Sequence, residues 1–223
     1  DVCSSDLPEI VRKDGWWRPV GDALGASHAV IGVQTVPHFL NVLPPARRGL
    51  CIQAGGNVGA YPIALAKRFA KVTTFEPDYS NFAALWANVA ERDPDGLLNI
   101  EMVAMALWEG PPALAKLRQV ETGNCGTYRL VVGKGKIPCA SLDDFTFNDR
   151  IDLIWLDVEG AELPALRGAK AILAGDHPAV IVELKGHGRH YGYEDEDVGR
   201  YLATFGYALW GSIDNDYLFM VAK

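Results

Sequence analysis

Three groups of residues in this sequence have the types and spacing for chemistry on a small molecule. The first is Gly55-Gly56-Asn57-Val58-Gly59, followed downstream by Glu76. Glycines let a turn approach a ligand closely, and a carboxylate about 20 residues on can accept hydrogen bonds from ribose hydroxyls. The second is Asp157-Val158-Glu159-Gly160-Ala161-Glu162. Three carboxylates that close together cannot all be buried and charged without partners. Asp157 suits an ammonium group, while Glu159 and Glu162 also suit the positive end of a following helix. The third is Lys185-Gly186-His187-Gly188-Arg189-His190. A histidine near its ordinary pKa can take a proton from a hydroxyl, so His187 and His190 are candidate bases, with a solvated loop as the alternative.

These groups need elements to hold them. Leu50-Cys51-Ile52-Gln53-Ala54 reads as a buried strand that ends in the glycine turn, and a helix carrying Ile63, Leu65 and Phe69 follows. Lys71–Phe75 is a second strand, closing on Glu76-Pro77, with a helix through Phe82, Leu85 and Val89 after it. Residues 99–107 read as a third strand and 123–145 as an inserted hairpin. Ile151–Leu156 is a strand ending at Asp157, with a helix expected through Leu163, Leu166, Ala169 and Ile172. The strand Ala179-Val180-Ile181-Val182-Glu183-Leu184 leads into the histidine loop. A last helix precedes two strands, 207–213 and 217–222, that should pair antiparallel. Alternating strands and helices give an α/β chain, Rossmann-like and doubly wound, with a mostly parallel sheet and an antiparallel C-terminal pair. Ligands in such sheets bind at the carboxyl ends of the strands, where all three groups fall.

The organisation expected is an N-terminal extension or lid over residues 1–48 and one nucleoside-binding domain over 49–223. Trp16, Trp17 and Phe39 in the extension are candidates to line an apolar acceptor pocket, with core or lid packing as the alternative. His38 is a candidate to reach the site as part of the lid, with a packed or exposed histidine as the alternative. The run Glu194-Asp195-Glu196-Asp197 reads as a solvated first turn of a helix.

Composition narrows the partners. The chain has 223 residues, 49% hydrophobic and 22% charged, with a formal charge of −7, so nucleic acid is disfavoured. No apolar run is long enough to cross a bilayer and no segment has the form of a signal peptide, which points to a cytoplasmic protein with no membrane among its partners. Cys3, Cys51, Cys125 and Cys139 form no CxxC pair and read as reduced thiols. Asp157 and Glu159 suit magnesium or calcium, but no third ligand is evident, so no metal is expected.

The glycine spacing is not the GxGxxG that seats a pyrophosphate; it is closer to the shorter loop that binds S-adenosylmethionine. An ordered set of motifs then carries a family resemblance. Gln53-Ala54-Gly55-Gly56-Asn57-Val58-Gly59, Phe75-Glu76-Pro77, Asn124-Cys125-Gly126, Ser141–Phe145, Asp152–Glu162, Leu166–Ala169 and Val182-Glu183-Leu184 resemble the FkbM-type methyltransferases over roughly residues 50–185. The resemblance implies S-adenosyl-L-methionine as cofactor and O-methylation of a hydroxyl on a sugar, polyketide or similar small metabolite. It implies cofactor contacts at Gln53, Gly55, Gly56, Asn57 and Gly59, at Glu76, Pro77 and Ala106, and at Asp157. Catalytic roles fall to Asp157, Glu159, His187 or His190.

Two positions depart from the family pattern. Gln53 stands where the family usually has an acid, removing a charge-assisted bond of about 1.5–3 kcal/mol to the cofactor unless Asp157 compensates. Gly56 stands where an alanine is usual. The alternatives are a catalytically silent module that binds the nucleoside or a partner protein, which Gln53 keeps open, and a nicotinamide-dependent oxidoreductase.

Overall fold

A computed structural model describes residues 8–222; Cys3 lies outside them. The N-terminal segment forms a hairpin of β1 (Ile10–Lys13) and β2 (Trp16–Pro19), then two short helices, α1 (Gly25–Gly32) and α2 (Val36–Leu40). The main sheet is built from β3 (Leu50–Ala54), β4 (Lys71–Phe75), β5 (Ile100–Val103), β10 (Ile151–Leu156), β11 (Ala179–Glu183), β12 (Tyr207–Ile213) and β13 (Asp216–Val221). Its strand order is β12-β13-β11-β10-β3-β4-β5, with all neighbours parallel except β13, which runs antiparallel to both β11 and β12. The expected doubly wound sheet with an antiparallel C-terminal pair is the fold observed.

Both faces of this sheet are buried at its centre, so the central strands are mostly apolar. Leu50, Ile52 and Ala54 of β3 pack with Ile154, Leu156, Val180 and Val182 on one face. Cys51, Leu153, Trp155 and Ile181 pack on the other, against helices α2 and α3 (Ala60–Ala66). Trp155 is fully buried, with Phe39 edge-on at 5.7 Å. Phe39 therefore belongs to the core and not to an acceptor pocket.

Helix α4 (Tyr79–Arg92) follows β4 and carries the N-terminal hairpin on its outer side. Asn88 accepts from Trp17 N at 2.9 Å and donates to Trp17 O at 2.7 Å, and Arg92 stacks 3.7 Å above the Trp16 ring. Trp16 and Trp17 are thus fixed against α4, away from the pocket they were candidates to line.

The expected strand over 99–107 is two strands. After β5 the chain reverses through a Met105 N to Val103 O bond, and β6 (Ala106–Leu107) leaves to pair with β9 (Ile137–Ala140). This second sheet, in the order β6-β9-β7-β8, also holds β7 (Ala113–Gln119) and β8 (Tyr128–Val132). The inserted hairpin therefore begins ten residues earlier than expected, and 123–127 forms its connection. The helix expected over 163–172 is likewise two, α5 (Glu162–Arg167) and α6 (Lys170–Gly175). Gly168 breaks it because that backbone accepts from Asp143 N and Ser141 Oγ, and an added Cβ would lie 2.3 Å from Trp108 O. Helix α7 (Asp195–Ala203) begins as expected in a solvated acidic turn, with Glu194 and Asp197 bonding reciprocally to backbone.

Candidate functional site

The sheet changes winding direction between β3 and β10, and the carboxyl ends of β3, β4, β10 and β11 open there onto a cavity of about 320 Å³. The turn after β3 begins with Gly55 at φ +86°, where a Cβ would lie 1.8 Å from Asp157 O. No other residue fits there. Gly55 and Gly56 N–H groups both donate to Phe75 O at 3.0 Å, which fixes the turn against the end of β4.

Glu76 stands beside it, 5% exposed. One carboxylate oxygen accepts from Asn57 N at 2.7 Å and the other from Asp78 N at 2.8 Å. Burial pushes its pKa up to about 8, with those donors and Asn81 opposing. Each oxygen keeps a lone pair. Asn81, one turn into α4, lines the same wall. Its amide nitrogen donates to Cys125 O at 2.8 Å, and its Oδ1 is buried without a partner. Because a carbonyl only accepts, this bond also fixes which end of the amide is left over.

The connection Asn124-Cys125-Gly126 forms another wall, together with α1. Asp22 joins the two: its carboxylate accepts from Gly25 N and Cys125 N at 2.9 and 3.0 Å, and from Ala26 N at 3.0 Å. Burial opposes the charge of Asp22, but these backbone donors outweigh it and hold the carboxyl below its usual range.

The other end of the cavity is acidic. Carboxylate oxygens of Asp157, Glu159 and Glu183 lie within 4.8 Å of one another. Glu183 is the third hard oxygen ligand that was not evident in the sequence, so the expectation of no metal loses its ground. Lys185 Nζ, 2.6 Å from Glu183, gives this cluster a resident cation. Burial, then Glu183 and Glu159, raises the Asp157 pKa well above its usual value. Glu159, at φ +55°, is pushed up to about 7 by burial, with Lys185 opposing. Its Oε2 lies 2.8 Å from His187 Nδ1, and burial together with Lys185 lowers the His187 pKa. Glu162 is a brace: it is 2% exposed and accepts from Val158 N and Gly160 N at 3.0 and 3.2 Å.

The fold brings most of the sequence-derived candidates together. Gly55, Asn57, Glu76, Pro77, Ala106, Asp157 and Glu159 all line the cavity. Gly56 and Gly59 lie behind it, where their missing side chains make room for Thr74 and Leu85. Gln53 is fully buried; its amide donates to Gly55 O at 2.9 Å and accepts from Thr74 Oγ1, so it braces the turn from beneath. His187 stands behind Glu159 and outside the wall, with 42% of its side chain exposed. His190 and His38 are exposed and away from the cavity. The wall residues that sequence reasoning missed include His28, Tyr61, Asn81, Glu183 and Lys185. Gly25, His28, Ala29 and Gly32 recur at i, i+3, i+4 and i+7, a helical stripe legible in the sequence.

Comparison with known proteins adds to this geometry. A family model described as Methyltransferase FkbM domain matches residues 21–209. No curated protein matches the chain. Among solved structures, the chain is similar to the methyltransferase FkbM from Methylobacillus flagellatus KT, with a TM-score of 0.53 and 19% identity. That match covers 86% of this chain and 53% of the other, so this chain spans about half its length. It is also similar to magnesium protoporphyrin IX methyltransferase from Synechocystis PCC 6803 with bound S-adenosylmethionine, at TM-score 0.56 and 13% identity, covering 88% of this chain and 81% of that one. A third is the tRNA (uracil-54, C5)-methyltransferase of Pyrococcus abyssi in complex with S-adenosyl-L-homocysteine, at 0.51 and 14%, covering 96% and 43%. At these identities the likeness is one of fold, the class I methyltransferase fold.

Proposed function

The chain belongs to the FkbM methyltransferase family, and on that premise we propose that it is an S-adenosylmethionine-dependent O-methyltransferase acting on a hydroxyl of a small metabolite. The observation that carries this reading is the Glu76–Asn81 wall. With Glu76 ionised, its two carboxylate oxygens with spare lone pairs and one orphaned, buried amide oxygen make a set of acceptors with no donor among them. Donors bound there favour that ionised form against a pKa of about 8. Ribose hydroxyls are donors of the number and kind that such a wall lacks, so the residues fit the cofactor. Pro77, Met105 and Ala106 supply apolar wall nearby, suited to a base. At the opposite end the Asp157, Glu159 and Glu183 carboxyls face one another, and an ammonium group held there would favour the ionised form of Asp157 that burial disfavours.

Bound in this cavity, S-adenosylmethionine supplies an electrophilic methyl group. The chain supplies position and a proton acceptor. Holding the reacting groups together contributes most of the rate. Glu159 lines the cavity and is the base: it takes the acceptor's hydroxyl proton onto its carboxylate. Neutral His187 donates from Nδ1 to Glu159 Oε2 and orients it, acting through Glu159 and not on the acceptor directly. A carboxyl with pKa near 7 suits that task at neutral pH. The acceptor enters on the side of α1, where His28, Ala29 and Tyr61 form the wall, and α1 is the part of the N-terminal extension that acts as the lid. Cys51, Cys125 and Cys139 are free thiols, which suits a cytoplasmic location.

The test is a methyl-transfer screen with labelled cofactor against hydroxyl-bearing metabolites, beside calorimetry with S-adenosylhomocysteine. Tight binding with transfer to none of them would return the protein to a silent nucleoside-binding module. Binding of a nicotinamide cofactor in place of S-adenosylhomocysteine would overturn the reading altogether.

A further inference from the structure

Residues 113–140 carry five cations, Lys116, Arg118, Arg129, Lys134 and Lys136, against one carboxylate, Glu121, in a chain whose formal charge is −7. The pairing of β7 with β8 sorts their side chains. Ala115 and Leu117 stand opposite Val132 and Leu130, and these four pack inward with Cys139 and Ile137. The alternate positions therefore turn outward: Lys116 opposite Val131, and Arg118 opposite Arg129.

Like charges directly opposite each other in an antiparallel pair repel. Among the described residues, no ion pair engages any of the five cations. The outer face thus lacks an anion, and an external one is its complement.

The character of the face selects the source of that anion. Leu114, 54% exposed, shares it with the cations, and Val120, 60% exposed, adjoins it. The hairpin's one aromatic, Tyr128, is on the inner side and lines the cavity. Single-stranded nucleic acid is held by cations together with aromatic stacking platforms, which this face lacks. Cations interleaved with aliphatic side chains suit the headgroup layer of an anionic lipid surface. We propose that the outer face of the β7–β8 hairpin docks this protein peripherally on an anionic lipid surface. The inner side of the same strands supplies Leu117, Tyr128 and Leu130 to the cavity wall, so docking sets the cavity one sheet's thickness from the lipid.

The test is flotation of the chain with vesicles of phosphatidylcholine, with and without phosphatidylglycerol, at low and high salt. Binding is expected only with phosphatidylglycerol, and is expected to weaken as salt screens it. The double variant Lys116→Glu/Arg118→Glu should bind more than about tenfold less, since each cation near the surface accounts for roughly fivefold. Lys67→Glu/Arg68→Glu changes the net charge equally on an exposed stretch elsewhere and should bind like wild-type. Circular dichroism and S-adenosylhomocysteine affinity confirm that each variant is folded. No binding to phosphatidylglycerol vesicles, or equal losses in the two double variants, overturns the proposal. So does tighter binding of a single-stranded RNA oligonucleotide, by fluorescence anisotropy, than of the vesicles.

Discussion

His187 Nδ1 lies 2.8 Å from Glu159 Oε2, so the loop after β11 is tied to the loop after β10 at the acidic end of the cavity. The carboxyl is raised to about 7 and the imidazole is lowered, both chiefly by burial, so the pair is poised with the histidine neutral. If Glu159 is the base, kcat/KM rises with pH and has its midpoint near 7, because the group acts only when deprotonated. Glu159→Gln should lower turnover about 10²–10⁴-fold and abolish that limb, with S-adenosylhomocysteine affinity nearly unchanged. His187→Ala removes a donor that stabilises the carboxylate, so its limb should move to higher pH. A limb that survives in Glu159→Gln would place the base elsewhere.

Glu76 and Asn81 are expected to act together on the ribose. Glu76→Ala should weaken S-adenosylhomocysteine binding by about 1.5–3 kcal/mol, and Asn81→Leu by about 1 kcal/mol, the usual sizes for charged and neutral hydrogen bonds. Deoxyribose analogues should bind the wild-type less well and the Glu76→Ala variant without that penalty. Binding should also strengthen as pH rises toward about 8, where the free Glu76 ionises. An affinity flat across that range, measured by calorimetry, would remove Glu76 from the contact.

Gly55→Ala tests the turn itself. A side chain at φ +86° is strained, and this one would overlap Asp157 O. The left-handed backbone costs about 1–2 kcal/mol and overpacking about 1–3 kcal/mol more. The variant should lose stability on that scale in urea titrations and lose cofactor binding with it. A fully stable Gly55→Ala that binds normally would mean the turn is not held against β10.

Glu162 makes the stability depend on pH with an unusual sign. Burial raises its folded pKa to about 7 from 4.5, so the folded state binds more protons than the unfolded one between those values. Its contribution is complete below 4.5 and is lost as pH rises through 7. Glu162→Gln keeps an acceptor for Val158 and Gly160 and never ionises. It should flatten the decline of the urea midpoint with pH, by up to about 3 kcal/mol at the alkaline end. Identical curves for the two proteins would show that Glu162 already ionises freely.

The part of the site that was legible in the sequence lies where backbone geometry dictates residue type. Gly55 must be glycine because of φ and Asp157 O, and Glu76 must follow the next strand, so type and spacing alone found them. Strands β3, β10 and β11 were legible because burial on both faces makes them apolar but for one residue each, Gln53, Asp152 and Glu183. Gln53 misled because chain position placed it near the ligand while its side chain turned beneath the loop. Strand β7 was overlooked although Ala115 and Leu117 alternate with Lys116 and Arg118, a period of two that is plain once sought. The helical stripe through His28 was legible, but its docking on the cavity was not, because that depends on how Asp22 ties α1 to the Cys125 connection across the chain.

Asp22 offers the sharpest test of how the N-terminal segment completes the site. Its side chain accepts three backbone bonds, two from the start of α1 and one from Cys125, across 103 residues of sequence. Arg18, 2% exposed, stands 4.0 Å away. Both structures that Asp22 joins are cavity walls, so removing it should loosen them together. Asp22→Ala leaves three buried N–H groups without an acceptor. An unsatisfied buried group costs about 1–3 kcal/mol, and with partial relaxation the total should be about 3 kcal/mol of stability. Asp22→Asn retains one oxygen, the position that serves Gly25 and Cys125, and should recover most of both stability and S-adenosylhomocysteine affinity. Because the carboxyl is held below its usual range, the wild-type contribution is present at neutral pH and lost as pH falls through the folded value. The Asn variant should not share that acid sensitivity. If Asp22→Ala binds cofactor as wild-type does, Asp22 does not couple α1 and the Asn124–Gly126 connection to the cofactor end of the cavity.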